Sequence, residues 1–216
     1  MKNNQLVIQQ YKMINMKEHF IAEVEQIKNE KLKRVAKKMV KDLPDYFWKL
    51  PSSSSGKYHP QCDLGEGGNV RHSIMVCRCA MDLVTSEMFV RDNDANRDLA
   101  RVAALFHDGL KYGKVGEDGS VNTHTVFEHP RLAADFVREH LVEAKIDELT
   151  TNMICYAIYT HMGKWCVDKY GSAPALSKPR TDFEKLIHIA DYMASRKYIS
   201  GLDEWKEPDK LEDDCK

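Results

Sequence analysis

No stretch of this sequence holds the roughly 18 consecutive apolar residues that a membrane-spanning helix needs. Residues 1–10 lack the apolar core and small-residue cleavage site of a signal peptide, so a cytoplasmic protein is expected. There is no excess of either charge: 32 Lys and Arg stand against 33 Asp and Glu, a formal net charge of -1. That balance excludes a global attraction to DNA or to an anionic membrane. The six cysteines, at 62, 77, 79, 155, 166 and 215, never show the spacing of a structural zinc site. They are expected to be reduced thiols. Internal repeats are absent, and low complexity is confined to Ser52–Ser55. The β-branched alternation that a sheet requires is also missing.

What is present is helical periodicity. Apolar residues Phe20, Val24, Ile27, Leu32, Val35, Met39 and Leu43 recur at three- and four-residue steps and predict helix over 17–42, closed by Pro44 and Pro51. Residues 51–69, rich in Ser, Gly and Pro, read as a long loop, functional or mobile. Further helices are expected over 70–90, 95–110 (capped by Asn93-Asp94 and ended by Gly109), 130–144 (opened by Pro130), 147–162 and 181–200. Residues 111–125 and 163–180 read as loops. The expected fold is all-α, with about six to eight helices. A 216-residue chain that is 43% hydrophobic can bury a sizeable core, and 30% charged residues solvate its surface. The expected organisation is an N-terminal helical extension at 1–50, a main domain at 51–200 and a polar tail at 201–216 that frays.

The chemistry is concentrated in one doublet. His107-Asp108 follows the apolar run Val102–Phe106, and Lys111 stands three residues later. His72, His129, His161 and Asp191 complete a candidate ligand set of four imidazoles and two carboxylates at helix ends or on helix faces. Helical bundles converge such side chains on a metal centre. Imidazole and carboxylate donors without thiolate suit a divalent metal: iron, manganese, zinc or cobalt. Such an ion turns water into a nucleophile at neutral pH. His124 competes with His129, which is preferred because Pro130 follows it. His188, one turn before Asp191, is assigned to packing or to support of a ligand, and His19 and His140 to the surface.

The pattern His72…His107-Asp108-x-x-Lys111…His129-Pro130…His161…Ala190-Asp191 resembles the HD-domain metal-dependent phosphohydrolase superfamily, over roughly residues 59–197. The resemblance implies an HD-type helical bundle with an N-terminal accessory helix. It implies that His72, His107, Asp108 and Asp191 hold one metal. With His129 and His161 present, it further implies the dinuclear, six-ligand branch, Asp108 bridging. The cofactor expected is one or two divalent ions per chain, iron or manganese favoured, with zinc, cobalt or nickel open. His129-Pro130-Arg-Leu-Ala-Ala is similar to a segment of the HD-GYP phosphodiesterases. Met162-Gly163-Lys164-Trp165 stands where their Gly-Tyr-Pro signature would be, which argues against cyclic-di-GMP hydrolysis. Residues 154–163 and 185–196 look closer to the symmetrical diadenosine-tetraphosphate hydrolases. Gly56–His72 is similar to the HD module of bacterial 3′–5′ exoribonucleases, whose separate nucleic-acid-binding barrel has no room here.

The function expected is hydrolysis of a phosphoester or phosphoanhydride bond in a nucleotide or related small phosphorylated metabolite by metal-activated hydroxide. Asp108 and Lys111 are the catalytic candidates, Lys111 placing a cation where phosphoryl charge develops. Lys111, Arg71, His59 and Arg196 are the candidates for substrate contact. Three alternatives stand beside this reading: a phosphodiesterase or 3′–5′ exoribonuclease on short RNA, a dinuclear-iron oxygenase, and a non-catalytic nucleotide sensor. The basic run Lys28, Lys31, Lys33, Arg34, Lys37, Lys38, Lys41 reads as a solvated helix face paired with Glu18, Glu23, Glu25 and Glu30, or else as a polyanion surface.

Overall fold

The computed structural model describes residues 16–53, 56–86, 92–167 and 176–196. The polar tail expected at 201–216 lies outside these residues, as do residues 1–15 and the end of the helix expected over 181–200. All regular structure among the described residues is helical. In chain order the helices are α1 (described from residue 16, to 25), α2 (Glu30–Asp42), α3 (Asp45–Lys49), α4 (Gly68–Val84), α5 (Asp94–Phe106), α6 (His129–Glu143), α7 (Glu148–Tyr159) and α8 (Asp182–Ala194). None is long and apolar enough to cross a membrane.

The helix expected over 17–42 is broken. Backbone N–H groups of Lys28 and Asn29 donate to Asp98 Oδ1 and Oδ2 on α5, at 2.8 and 2.7 Å. Asn29 then caps α2, its Oδ1 accepting from Lys31 N at 3.1 Å and Leu32 N at 3.0 Å. Apolar spacing continues across the break, but a buried carboxylate and an Asn cap turn the chain there. A further short helix, α3, stands between the two prolines. Asn93, Asp147 and Thr181 cap α5, α7 and α8 through their side chains.

Helix α4 packs against α5 and α8, α7 packs against α5, α6 and α8, and α2 lies on α6. Phe20 of α1 meets Phe47, Trp48 and Phe106 edge to face, with ring centroids 5.4–5.6 Å apart. The N-terminal helices therefore share one apolar core with α4 and α5. Three cations of the basic face of α2 are paired: Lys37 with Glu25 at 2.7 Å, Lys38 with Glu143 at 2.6 Å and Lys33 with Glu30 at 2.9 Å. Two of these three partners lie on other helices rather than on α2. His140 is also less superficial than expected, its Nε2 reaching Asp42 Oδ2 at 2.9 Å.

Candidate metal centre

Every member of the candidate ligand set reaches one buried cluster, between the end of α5 and the helices around it. His72 lies in the first turns of α4 and His129 opens α6. His107 and Asp108 follow the last turn of α5, His161 follows α7, and Asp191 lies in α8. Asp108 is central and its two oxygens face different neighbours. Oδ2 lies 3.3 Å from His107 Nε2 and 3.7 Å from His72 Nε2, and it accepts a short hydrogen bond from Lys111 Nζ. Oδ1 lies 3.2 Å from His129 Nε2 and 3.7 Å from His161 Nε2. Asp191 Oδ1 is 3.0 Å from His72 Nε2 and 3.7 Å from His107 Nε2. Two triads, His72–His107–Asp108 and Asp108–His129–His161, each bring their ligand atoms within 4.8 Å of one another and share the one carboxylate.

The imidazoles are oriented by the backbone. Nδ1 of His107, His129 and His161 lies 2.7 Å from the carbonyl oxygen three residues earlier, of Ala104, Val126 and Ile158 respectively. A carbonyl only accepts, so each Nδ1 carries a proton and each Nε2 is the nitrogen left facing the cluster. His188 extends the same support: its Nδ1 donates to the His161 carbonyl at 2.7 Å. Gly163 makes this possible, since a Cβ there would lie 2.1 Å from the His188 ring. The doublet's own backbone is fixed by Asn69 Nδ2, which donates to Asp108 O at 3.2 Å. Tyr46 and Tyr112 tie the turn that follows, donating to Gly113 O at 2.6 Å and Pro51 O at 2.9 Å.

Burial shapes the electrostatics. The side chains of His72 and His107 are 0% exposed and that of Asp108 1%. Burial opposes the charge on Asp108, yet Lys111 and His107 outweigh it and hold the carboxyl well below the usual range. Burial likewise opposes the charge on Asp191, and the His72 hydrogen bond and charge hold it below. Burial together with the neighbouring His107 pushes His161 down to about 3. On His107 burial acts downward, but Asp108 and Asp191 raise the net value.

The donor chemistry fits a divalent ion. His107 Nε2 and Asp108 Oδ1 are buried with no hydrogen-bond partner, the condition a bound cation relieves. His72 Nδ1 is likewise without a partner, so its ring lacks the backbone support of the other three. Cys77, Cys79, Cys155 and Cys166 are buried, but none joins a ligand triad among the described residues.

The other candidates separate. Lys111 is 9% exposed and bound to Asp108, so its cation is already at the centre. His59 stands against His72, ring centroids 4.9 Å apart, and its Nδ1 is 2.9 Å from Ser52 Oγ. Arg71, next to His72 in sequence, instead donates to Glu66 O at 2.8 Å, because neighbours on a helix face different ways. Arg196 lies over the Tyr192 ring, 4.0 Å from its centroid. His124 is exposed and bonded to Thr123, outside the cluster. The sequence reading missed Asp63, buried with His59 and His72 in a third triad. It missed Tyr58, Trp165 and Tyr192 as well. Adjacency to His59 and Asp191 was the available signal for two of them, but which way a neighbouring side chain points was not.

The family model of the HD domain matches residues 69–196, more than half of the chain. No curated protein and no solved structure matches it. With the doublet at the heart of a buried His/Asp cluster in an all-helical fold, the chain belongs to the HD-domain family, a superfamily of metal-dependent phosphohydrolases.

Proposed function

We propose that this chain hydrolyses a phosphoester or phosphoanhydride bond of a nucleotide or related small phosphorylated metabolite, using two divalent ions, iron or manganese, that share Asp108. The carrying observation is the division of Asp108: Oδ2 faces His72 and His107 while Oδ1 faces His129 and His161. His72, His107 and Asp191 would complete one site, and His129 and His161 the other. Bound there, divalent ions supply an acidified water and polarised phosphoryl oxygens.

The protein's own groups do the rest. The carbonyl-anchored imidazoles keep their Nε2 atoms fixed toward the cluster, so little reorganisation is needed on loading. Lys111 holds a cation beside Asp108 in a water-poor setting, where it counters charge gathering on the phosphoryl oxygens. The cluster opens toward Asp191, 20% exposed, and His59, 14% exposed, so substrate enters on that side. Burial lowers the His59 pKa, and a neutral ring there addresses substrate by hydrogen bonding rather than by charge.

The test is release of phosphate or nucleotide by protein stripped with chelator and reloaded with manganese or ferrous iron, with metal counted per chain. Nucleoside mono-, di- and triphosphates, dinucleoside polyphosphates and sugar phosphates form the panel, and His107→Ala is the control. Release that needs two metals and vanishes in the control supports the reading. Two bound irons with oxygen consumption and no phosphate release would replace it with the oxygenase.

A further inference from the structure

Beside the opening of the cluster stands a group of side chains that the hydrolytic reading does not use. Trp165 and Tyr192 are stacked, their ring planes 16° apart and centroids separated by 5.6 Å. The Arg196 guanidinium lies over this group, 4.0 Å from the Tyr192 centroid, 5.1 Å from Tyr58 and 5.5 Å from Trp165. Lys164 Nζ is 4.6 Å from the Trp165 centroid, and Lys57 Nζ is 5.1 Å from Tyr58. Three aromatic rings and three cations thus form one continuous wall. Tyr58 and Tyr192 remain 46% and 37% exposed.

The wall's position is fixed by its neighbours in the chain. Tyr58 adjoins His59, whose ring abuts His72. Tyr192 adjoins Asp191, the most exposed of the six candidate ligands whose exposure enters the cluster's ion pairs. Trp165 follows the turn that carries His161, and its ring centroid is 6.2 Å from that of His188. Arg196 joins Tyr58, from the loop that carries His59, to Tyr192, from the helix that carries Asp191, so the wall spans the two exposed sides of the cluster and borders the opening through which a phosphate would reach Asp108.

We infer that this wall is a nucleobase platform, and that the substrate is a nucleoside phosphate whose base stacks on Trp165, Tyr192 and the Arg196 plane while its phosphate enters the cluster. The inference rests on the hydrolytic reading for the fate of the phosphate, but not for the binding of the base. Aromatic and guanidinium planes take any base face to face, and each stacked base adds affinity that alanine substitution removes. Lys57 and Lys164 flank the rings with charge that suits a phosphorylated ligand and disfavours an uncharged aromatic one. A simple sugar phosphate has no flat surface to offer the rings.

The experiment is equilibrium binding of AMP and of ribose 5-phosphate to the manganese-loaded protein by calorimetry, for wild type, Trp165→Ala, Tyr192→Ala and Trp165→Phe. AMP is expected to bind at least about tenfold more tightly than ribose 5-phosphate. Trp165→Ala and Tyr192→Ala should each lose about fivefold or more of the AMP affinity and leave ribose 5-phosphate unchanged. Trp165→Phe should retain most of it. Equal affinity for the two probes, or alanine variants that bind AMP as wild type does, overturns the platform. That result leaves hydrolysis of base-free phosphates standing, whereas AMP binding without cleavage of any member of the substrate panel sinks the hydrolytic reading and keeps the platform. A short RNA bound far more tightly than AMP, with steep salt dependence, overturns the mononucleotide as occupant.

Discussion

Asp108→Asn separates the two tasks of the central carboxylate. In the metal-free protein Asp108 is the anion that accompanies Lys111, with side chains 1% and 9% exposed. Removing one partner of a buried pair leaves an uncompensated charge, at a cost of about 3–5 kcal/mol. For a chain of this size each kcal/mol moves the melting temperature by roughly 2–4 °C. Chelator-treated Asp108→Asn is therefore expected to melt about 6–20 °C below wild type, followed by circular dichroism. The double variant Asp108→Asn/Lys111→Met takes both charges out of the interior and should recover most of that loss. Metal binding should not recover, because the carboxylate that faces both histidine pairs is gone. Metal counted per chain should fall below two in both variants, with phosphate release abolished. A single variant that melts with wild type, or a double variant that still binds two ions, refutes the reasoning.

Three further outcomes are expected. Gly163 has φ +55° and no room for a Cβ against His188, while Gly119, at φ +80°, has open space around it. Gly163→Ala should lose about 2 kcal/mol or more of stability in urea and weaken metal binding roughly tenfold or more, whereas Gly119→Ala should show only the backbone strain of about 1–2 kcal/mol; equal effects would mean that His188 does not support His161. Asp98→Ala deletes two charge-assisted bonds to the Lys28 and Asn29 amides and should cost about 3 kcal/mol in urea unfolding, with Asp98→Asn intermediate. Burial raises the Tyr46 pKa above its ordinary value, so the folded state favours the neutral phenol. Its contribution is complete below about pH 10 and is lost as pH rises through that value toward the folded one; Tyr46→Phe should flatten this alkaline limb of the stability curve.

The sequence carried the helical class and the cluster for one physical reason: both are written in residue type and spacing. Imidazoles and carboxylates at helix ends have few roles in a chain without excess charge, so six such residues stand out before any geometry. What stayed hidden depends on partners far away in sequence. The break before α2 needs Asp98, about seventy residues downstream of Asn29, and no local pattern announces it. The assignment of Arg71 to substrate rested on adjacency to His72, yet one helical step turns it toward Glu66. Asp63, Tyr58 and Trp165 come to the site on segments between the long helices, whose course no periodicity announces, and the outward turn of Tyr192 on α8 depends on those same partners.

The seating of Phe20 has a reach beyond packing. Its ring meets Phe106, the residue immediately before His107. Helix α5 is about 20 Å long, held at its beginning by Asp98 beneath the first helical turn-back and at its end by this aromatic contact. The doublet is thus clamped from outside the segment that defines the family. Sequence drift at Phe20 would retune metal affinity without altering a single ligand, and a fragment cut to residues 69–196 would keep all six candidate ligands of the two triads and Asp191 while losing the ground on which two of them stand.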